Sequence, residues 1–234
     1  MYKLSKKPKK PVILTGFPGF GLVGTIATEF MIEHLKTEQI GKIWLEDVNA
    51  VVAIHNEELI NPIGIFYNES HNIVIIHGIS AEKGADWKIA NEIIKVADEL
   101  NAEEIVSLEG VGTVNPSENP KLFFYSSSDE KNGKLKGFGL DPMKEGIVMG
   151  VTSALMIKLE RPISSLFVES HADIPDNKAA AELIGALDKY LGLDIDMKPL
   201  LESAKIFESK LKGLMEKSKE AQDQKEKKMM SYVG

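Results

Sequence analysis

Hydrophobic positions along this chain alternate between two kinds of spacing. Residues 11–15 form a short apolar run that ends in a glycine-rich turn, which predicts a buried strand. From residue 22 to 35, apolar side chains return every three or four positions (Leu22, Ile26, Phe30, and Val23, Ala27, Met31), predicting an amphipathic helix. Residues 40–45 read as a second strand, with shorter ones at 51–54 and 63–67. The continuous Ile/Val run at 73–77 is the pattern of a strand covered on both sheet faces. A helix follows over 85–100, with Ile89, Ile93, Val96 and Leu100 on one face, and then a central strand at 105–108. Residues 110–146, rich in Gly, Pro, Asn and Ser, break the alternation and predict a surface excursion holding one strand at 122–125. The pattern resumes with a helix over 147–159 stopped by Arg161-Pro162, and a last strand at 163–169. A final helix reaches Leu191, with Asp176 as its N-cap. Alternation of this kind predicts an α/β fold: a parallel or mixed sheet with helices on both faces.

After Gly192 the period changes. Leu200, Ala204, Phe207, Leu211 and Leu214 follow a seven-residue repeat, predicting a C-terminal helical extension that either packs on its own domain or forms a seam between subunits. Residues 217–228 are a run of charges, yet the chain then turns apolar in Met229, Met230, Tyr232 and Val233 before Gly234. A solvated arm gains nothing within its own chain from such a tip, which points to recognition by another molecule. Three segments result: a flexible basic N-terminus over 1–10, an α/β domain over 11–196, and a helix with projecting tail over 197–234.

Composition narrows the function. The 234 residues carry a net charge of −7, and five lysines lie within the first ten positions, so the remainder is more acidic still. Such a surface repels nucleic-acid phosphate. There is no cysteine, which excludes thiolate nucleophiles and cysteine-ligated metals. No apolar run is long enough to span a bilayer, and the N-terminus lacks the apolar core of a secretion signal, so a cytoplasmic location is expected.

The most tempting chemistry is Gly19-x-Gly21-x-x-Gly24, which follows a strand, opens a helix and precedes Glu46 and Asp47 at roughly the distance of a ribose-binding acid. Two features oppose a dinucleotide. Pro18 has no amide hydrogen for a phosphate, and Phe17 and Phe20 add bulk where bare backbone is needed. These phenylalanines instead suit a contact within or between subunits. The five histidines (His34, His55, His71, His77, His171) lack helical metal-ligand spacing, and His171 with Asp173 is the candidate pair. Glu82, Glu109 and Glu169 each follow or end a predicted strand, so they can converge at one sheet edge, where open α/β folds bind ligands.

The loop Gly16-Phe17-Pro18-Gly19-Phe20-Gly21-Leu22-Val23-Gly24-Thr25 resembles the opening signature of the proteasome assembly chaperone family, in its archaeal branch. The likeness continues through Val52-Ala53-Ile54-His55-Asn56, Ser107-Leu108-Glu109-Gly110, residues 146–155, Pro175-Asp176 with Ala179-Ala180-Ala181, and Leu191-Gly192-Leu193-Asp194-Ile195-Asp196 with Pro199-Leu200-Leu201, so it spans about residues 11–215. The resemblance implies a domain shaped like nucleoside phosphorylases, a homo-oligomer, and a non-catalytic chaperone or adaptor that binds proteasome subunits without a cofactor. Phe17, Phe20, Leu200, Phe207, Leu211 and Leu214 are the expected oligomer contacts, and Met230, Tyr232, Val233 and Gly234 the expected protein-binding tip. Some members end in a hydrophobic residue, tyrosine and any residue, a tail that docks between proteasome α subunits. Here Tyr232 is third from the end and follows Ser231, so the strict pattern is absent. The competing expectation is a small-molecule enzyme or sensor related to nucleoside-processing proteins, its ligand near residues 16–24, 78–82 and 109–112.

Overall fold

The structure, a computed structural model, describes residues 1–46, 48, 52–55, 57–80, 84–113, 119–170, 174–196, 198–199 and 213. Strands β1 (Tyr2–Leu4) and β2 (Val12–Gly16) come first, and a single 3-10 turn, Phe20–Leu22, leads into α1 (Val23–His34). Next come β3 (Glu38–Ile43), a small ribbon of β4 (Ala53–His55) and β5 (Glu58–Ile60), then β6 (Ile63–Asn68) and β7 (Ile73–Gly78). Helix α2 (Asp86–Glu99) precedes β8 (Glu104–Gly112), β9 (Leu122–Ser126), α3 (Asp129–Gly137) and β10 (Asp141–Pro142). Helix α4 (Gly150–Lys158), β11 (Ile163–Ser170) and α5 (Asn177–Leu191) complete the order.

Apart from the β4–β5 ribbon, these strands form one nine-stranded mixed sheet in the order β1-β3-β6-β7-β2-β8-β11-β9-β10. The central four, β7, β2, β8 and β11, run parallel. Antiparallel pairings of β6 with β7 and of β9 with β11 flank them. Side chains alternate across the central strands, as the two-residue period demands. Leu14, Ile73, Ile75, Val106 and Leu108 join a core beneath α1 and α5. Ile13, Val74, Ile76 and Ile105 join a second core beneath α2 and α4. Both faces are therefore dry, which is why the 73–77 run shows no polar alternation.

Residues 1–10 differ from the expected solvated arm. Tyr2–Leu4 pairs with β3 and closes that edge of the sheet. Lys7 contacts Glu99 at 2.6 Å and Lys6 contacts Glu69 at 3.4 Å, so the lysines find acidic partners on the acidic body. The 110–146 excursion contains more than one strand: β8 extends to Gly112, and α3 and β10 follow β9. The expected C-terminal repeat (Leu200, Phe207, Leu211, Leu214) and the tip (Met230, Tyr232, Val233, Gly234) lie outside the described residues. Among those described, no helix is long and apolar enough to cross a membrane.

Candidate functional site

The four parallel strands end side by side at Gly16, Gly78, Gly112 and Ser170, and the loops that leave them gather above this carboxyl edge. The glycine loop is built by close packing. A Cβ on Gly24 would stand 2.4 Å from the Leu108 carbonyl oxygen, so only glycine lets α1 start this near β8. Gly21 has φ 61°, and a Cβ there would lie 1.9 Å from Ser170 Oγ. Leu22 also takes the left-handed region, at φ 51°, turning the chain sharply into α1. Asp176 locks the turn from outside. Its backbone N–H donates to the Gly21 carbonyl at 2.8 Å, while its carboxylate accepts from Ser170 Oγ and from the Ala179 N–H that opens α5.

Phe17 is buried at 5 % exposure, with its ring over Gly78 inside its own domain. Phe20 is half-buried and lines two adjoining cavities. The first encloses about 310 Å³ between the glycine loop, the end of β8 and residues 147–151. Its walls are mostly apolar, including Phe17, Phe20, Val111, Ile147 and Met149, and its ionisable groups are Glu109 and Asp86. The second, about 1070 Å³, runs on past Phe20 and Met149 to Glu169, Lys121 and Lys144.

Glu109 is the chemically distinctive residue. Its carboxyl is largely withdrawn from water, with one edge open to the first cavity. Glu109 Oε2 accepts from Thr152 Oγ1 at 2.9 Å, and Thr152 Oγ1 lies 2.7 Å from Ser107 Oγ. Burial pushes the carboxyl up to about 7, against the opposing pull of the Thr152 hydroxyl and the Gly110 N–H. In register beside Ser107 stand Thr15 and Ser165, whose buried hydroxyls have no hydrogen-bond partner among the described residues. A row of hydroxyls therefore lies below the carboxyl, on the α2–α4 face of the sheet.

Other expected residues fall elsewhere. Glu169 lines the second cavity and accepts from the Lys121 N–H at 3.2 Å, so it does not share the Glu109 cavity; Glu82 lies outside the described residues. His77 sits within the core, 2.8 Å from Thr28 Oγ1 and 3.1 Å from Glu29 Oε2, while His71 bonds Asn68. His171 and Asp173 lie outside the described residues, and no metal-holding group of side chains occurs among those described. The dinucleotide reading fails on topology. In that fold the acidic residue ends a parallel strand beside the first one, but here β3 is antiparallel to its neighbour and separated from β2 by β6 and β7. Gly19 also faces Glu109 Oε1, so a carboxylate occupies the ground a phosphate would need. Sequence reasoning did not find Asp86, Thr152 or the 147–149 wall. Their signal is an apolar Ile147-Val148-Met149 loop between two glycines, entering a helix whose N-cap, Met149, has no side-chain cap.

Comparison with known proteins gives this architecture relatives. The crystal structure of Pyrococcus furiosus PbaA, an archaeal homolog of proteasome-assembly chaperone, superposes with a TM-score of 0.83 at 27 % identity, covering 95 % of this chain and 100 % of that one. Pyrococcus furiosus PbaB, an archaeal proteasome activator, shares the fold with a TM-score of 0.75 at 24 % identity over 92 % of this chain and 98 % of that one. An uncharacterised protein of Methanocaldococcus jannaschii is 25 % identical over 228 residues, 96 % of this chain and 94 % of its own length. The PAC2 family pattern runs from residue 13 to residue 215, through the glycine loop, Glu109 and the 147–151 wall alike, and the chain belongs to the PAC2 family.

Proposed function

We propose that this protein is a non-catalytic, homo-oligomeric factor that binds proteasome subunits and assists their assembly. The observation that carries the reading is the end-to-end likeness to Pyrococcus furiosus PbaA, which leaves almost no part of either chain unmatched. The described surface adds support. Ile54 and Leu59 stand exposed and opposite each other in register on the β4–β5 ribbon, outside the main sheet, and exposed Val52 immediately precedes it. Apolar side chains held in water on a projecting ribbon suit a protein-binding surface. In this reading the C-terminal repeat at Leu200, Phe207, Leu211 and Leu214, with Phe20, joins copies of the chain, and the tip from Met230 to Gly234 engages the partner.

The test is capture from native lysate by the full chain and by a chain lacking residues 229–234. Proteasome α subunits are expected with the full chain and reduced at least tenfold without the tip. Equal recovery would remove the tip from the mechanism, and absence of proteasome subunits from both would overturn the assembly role.

A further inference from the structure

Among the described residues, the smaller cavity holds a carboxyl with no cation beside it. Among the described residues its lining contains no lysine, arginine or histidine, although Lys121 and Lys144 line the cavity next door. Two neutral donors, the Thr152 hydroxyl and the Gly110 N–H, reach Glu109, but neither supplies a countercharge. A carboxylate withdrawn from water in this way lacks a positive partner. The N-terminal ends of α2 and α4 both approach the cavity, and each already has a carboxylate nearby. Asp86 occupies the first turn of α2, and Glu109 bonds Thr152 in the first turn of α4. An incoming anion would have to share those ends with two acids, so anionic ligands are disfavoured.

The remaining walls decide the rest of the guest. Phe17, Phe20, Val111, Ile147, Met149 and Val151 offer apolar surface around the Glu109 carboxyl. Gly19 lets the loop backbone pass close to Glu109 Oε1, because a Cβ there would lie 2.1 Å from that oxygen. We propose that this cavity binds an organic cation, a protonated amine on an apolar stem, with its nitrogen on Glu109 and Asp86 at the mouth. The site shares Phe20 with the proposed contact between copies but does not use the C-terminal tip, so its binding test stands apart from the capture of proteasome subunits. A free alkylamine or arylalkylamine and a lysine side chain on a polypeptide present the same chemistry.

The probes are 2-phenylethylamine, its anionic counterpart 3-phenylpropanoate, and N-acetyl-lysine methylamide, titrated into the full chain by calorimetry. The amine is expected to bind and the carboxylate not. Binding of the blocked lysine as well assigns the natural guest to a polypeptide, whereas binding of 2-phenylethylamine alone assigns it to a free amine. Glu109→Gln keeps the size and the Thr152 contact but removes the charge, and is expected to weaken the amine at least tenfold. Gly19→Ala, which pushes a methyl into the carboxyl, is expected to weaken it similarly through steric exclusion.

Amine affinity should also rise roughly tenfold between about pH 6 and about pH 8 as Glu109 ionises. The groups facing Glu109 are Gly19 of the loop, Ser107 of β8, Thr152 of α4 and Asp86 of α2. Lys121, Asp141, Lys144, Glu145 and Glu169 stand around the adjoining cavity. Asp86, the other acid of the lining, is kept in every variant. Binding of the carboxylate in preference to the amine, equal amine affinity in Glu109→Gln, or no binding of either amine would each overturn the assignment.

Discussion

Burying a carboxyl beside only a hydroxyl and a backbone N–H leaves its charged form poorly solvated, and Glu109 answers with a pKa pushed up to about 7 from 4.5. The folded state then holds a proton that the unfolded chain releases at lower pH. The stabilisation from protonated Glu109 is complete below about pH 4.5 and is lost as pH rises through about 7. At pH 8 the ionised group costs the fold on the order of 3 kcal/mol. Glu109→Gln is therefore expected to be more stable than the parent by about 1–3 kcal/mol near pH 8, with the gap closing towards pH 4.5. Urea unfolding at both pH values measures this, and a pH-independent gap would contradict it. The sequence put Glu109 just after a central strand expected over 105–108, whereas it lies inside β8, three residues before the end at Gly112, and its withdrawal from water was not visible there. That withdrawal comes from neighbours far away in sequence, such as the Gly19 backbone, 90 positions before it.

Single side chains also tie separate elements together, and Asp176 does so at the start of α5. One carboxylate oxygen accepts the Ala179 N–H at 2.9 Å, the other accepts Ser170 Oγ at 3.1 Å, and its own N–H holds the Gly21 turn. Asp176→Ala removes the cap and strands the buried Ser170 hydroxyl, so a loss of about 2–3 kcal/mol is expected in chemical denaturation. Asp176→Asn, which keeps an acceptor, is expected to recover most of it. This N-cap was legible because Pro175-Asp176-Asn177 precedes a periodic run. Helix α2 was equally plain, with Ile89, Ile93 and Val96 aligned on its buried face. Helix α3 was not, because it buries only Leu135 and has no apolar period to read; its local marks are the Ser128 hydroxyl accepting from the Lys131 N–H, acids in the first turn and lysines in the last. Strand β1 was missed for a related reason. The lysines in and after it suggested solvent, while its place depends on the distant β3 and on Glu99 of α2, which accepts from the Tyr2 hydroxyl.

At the scale of the whole molecule, the expected assembly state is the prediction easiest to measure. Light scattering at low micromolar concentration is expected to give a mass at least twice 25.8 kDa, and a clean monomer would remove the homo-oligomer from the proposal. If the β4–β5 ribbon serves the partner instead, Ile54→Ser with Leu59→Ser should leave that mass and the melting temperature unchanged while reducing recovery of proteasome subunits. The same mass with undiminished recovery would show the ribbon to be idle. The strand order carries a different consequence, for how the chain acquires its shape. Strand β2 lies at the centre of the sheet, yet its two neighbours are β7, whose first pair is Val12 with Ile73, and β8, whose first pair is Val12 with Glu104. A chain made from its N-terminus must carry Val12, Ile13 and Leu14 unpaired until β7 has been synthesised, and with one edge open until β8 follows. Parallel partners so far apart in sequence make for slow closure. During synthesis the middle of the future sheet is thus its most exposed part, and a protein proposed to help others assemble has a long interval in which its own central strand is open to wrong partners.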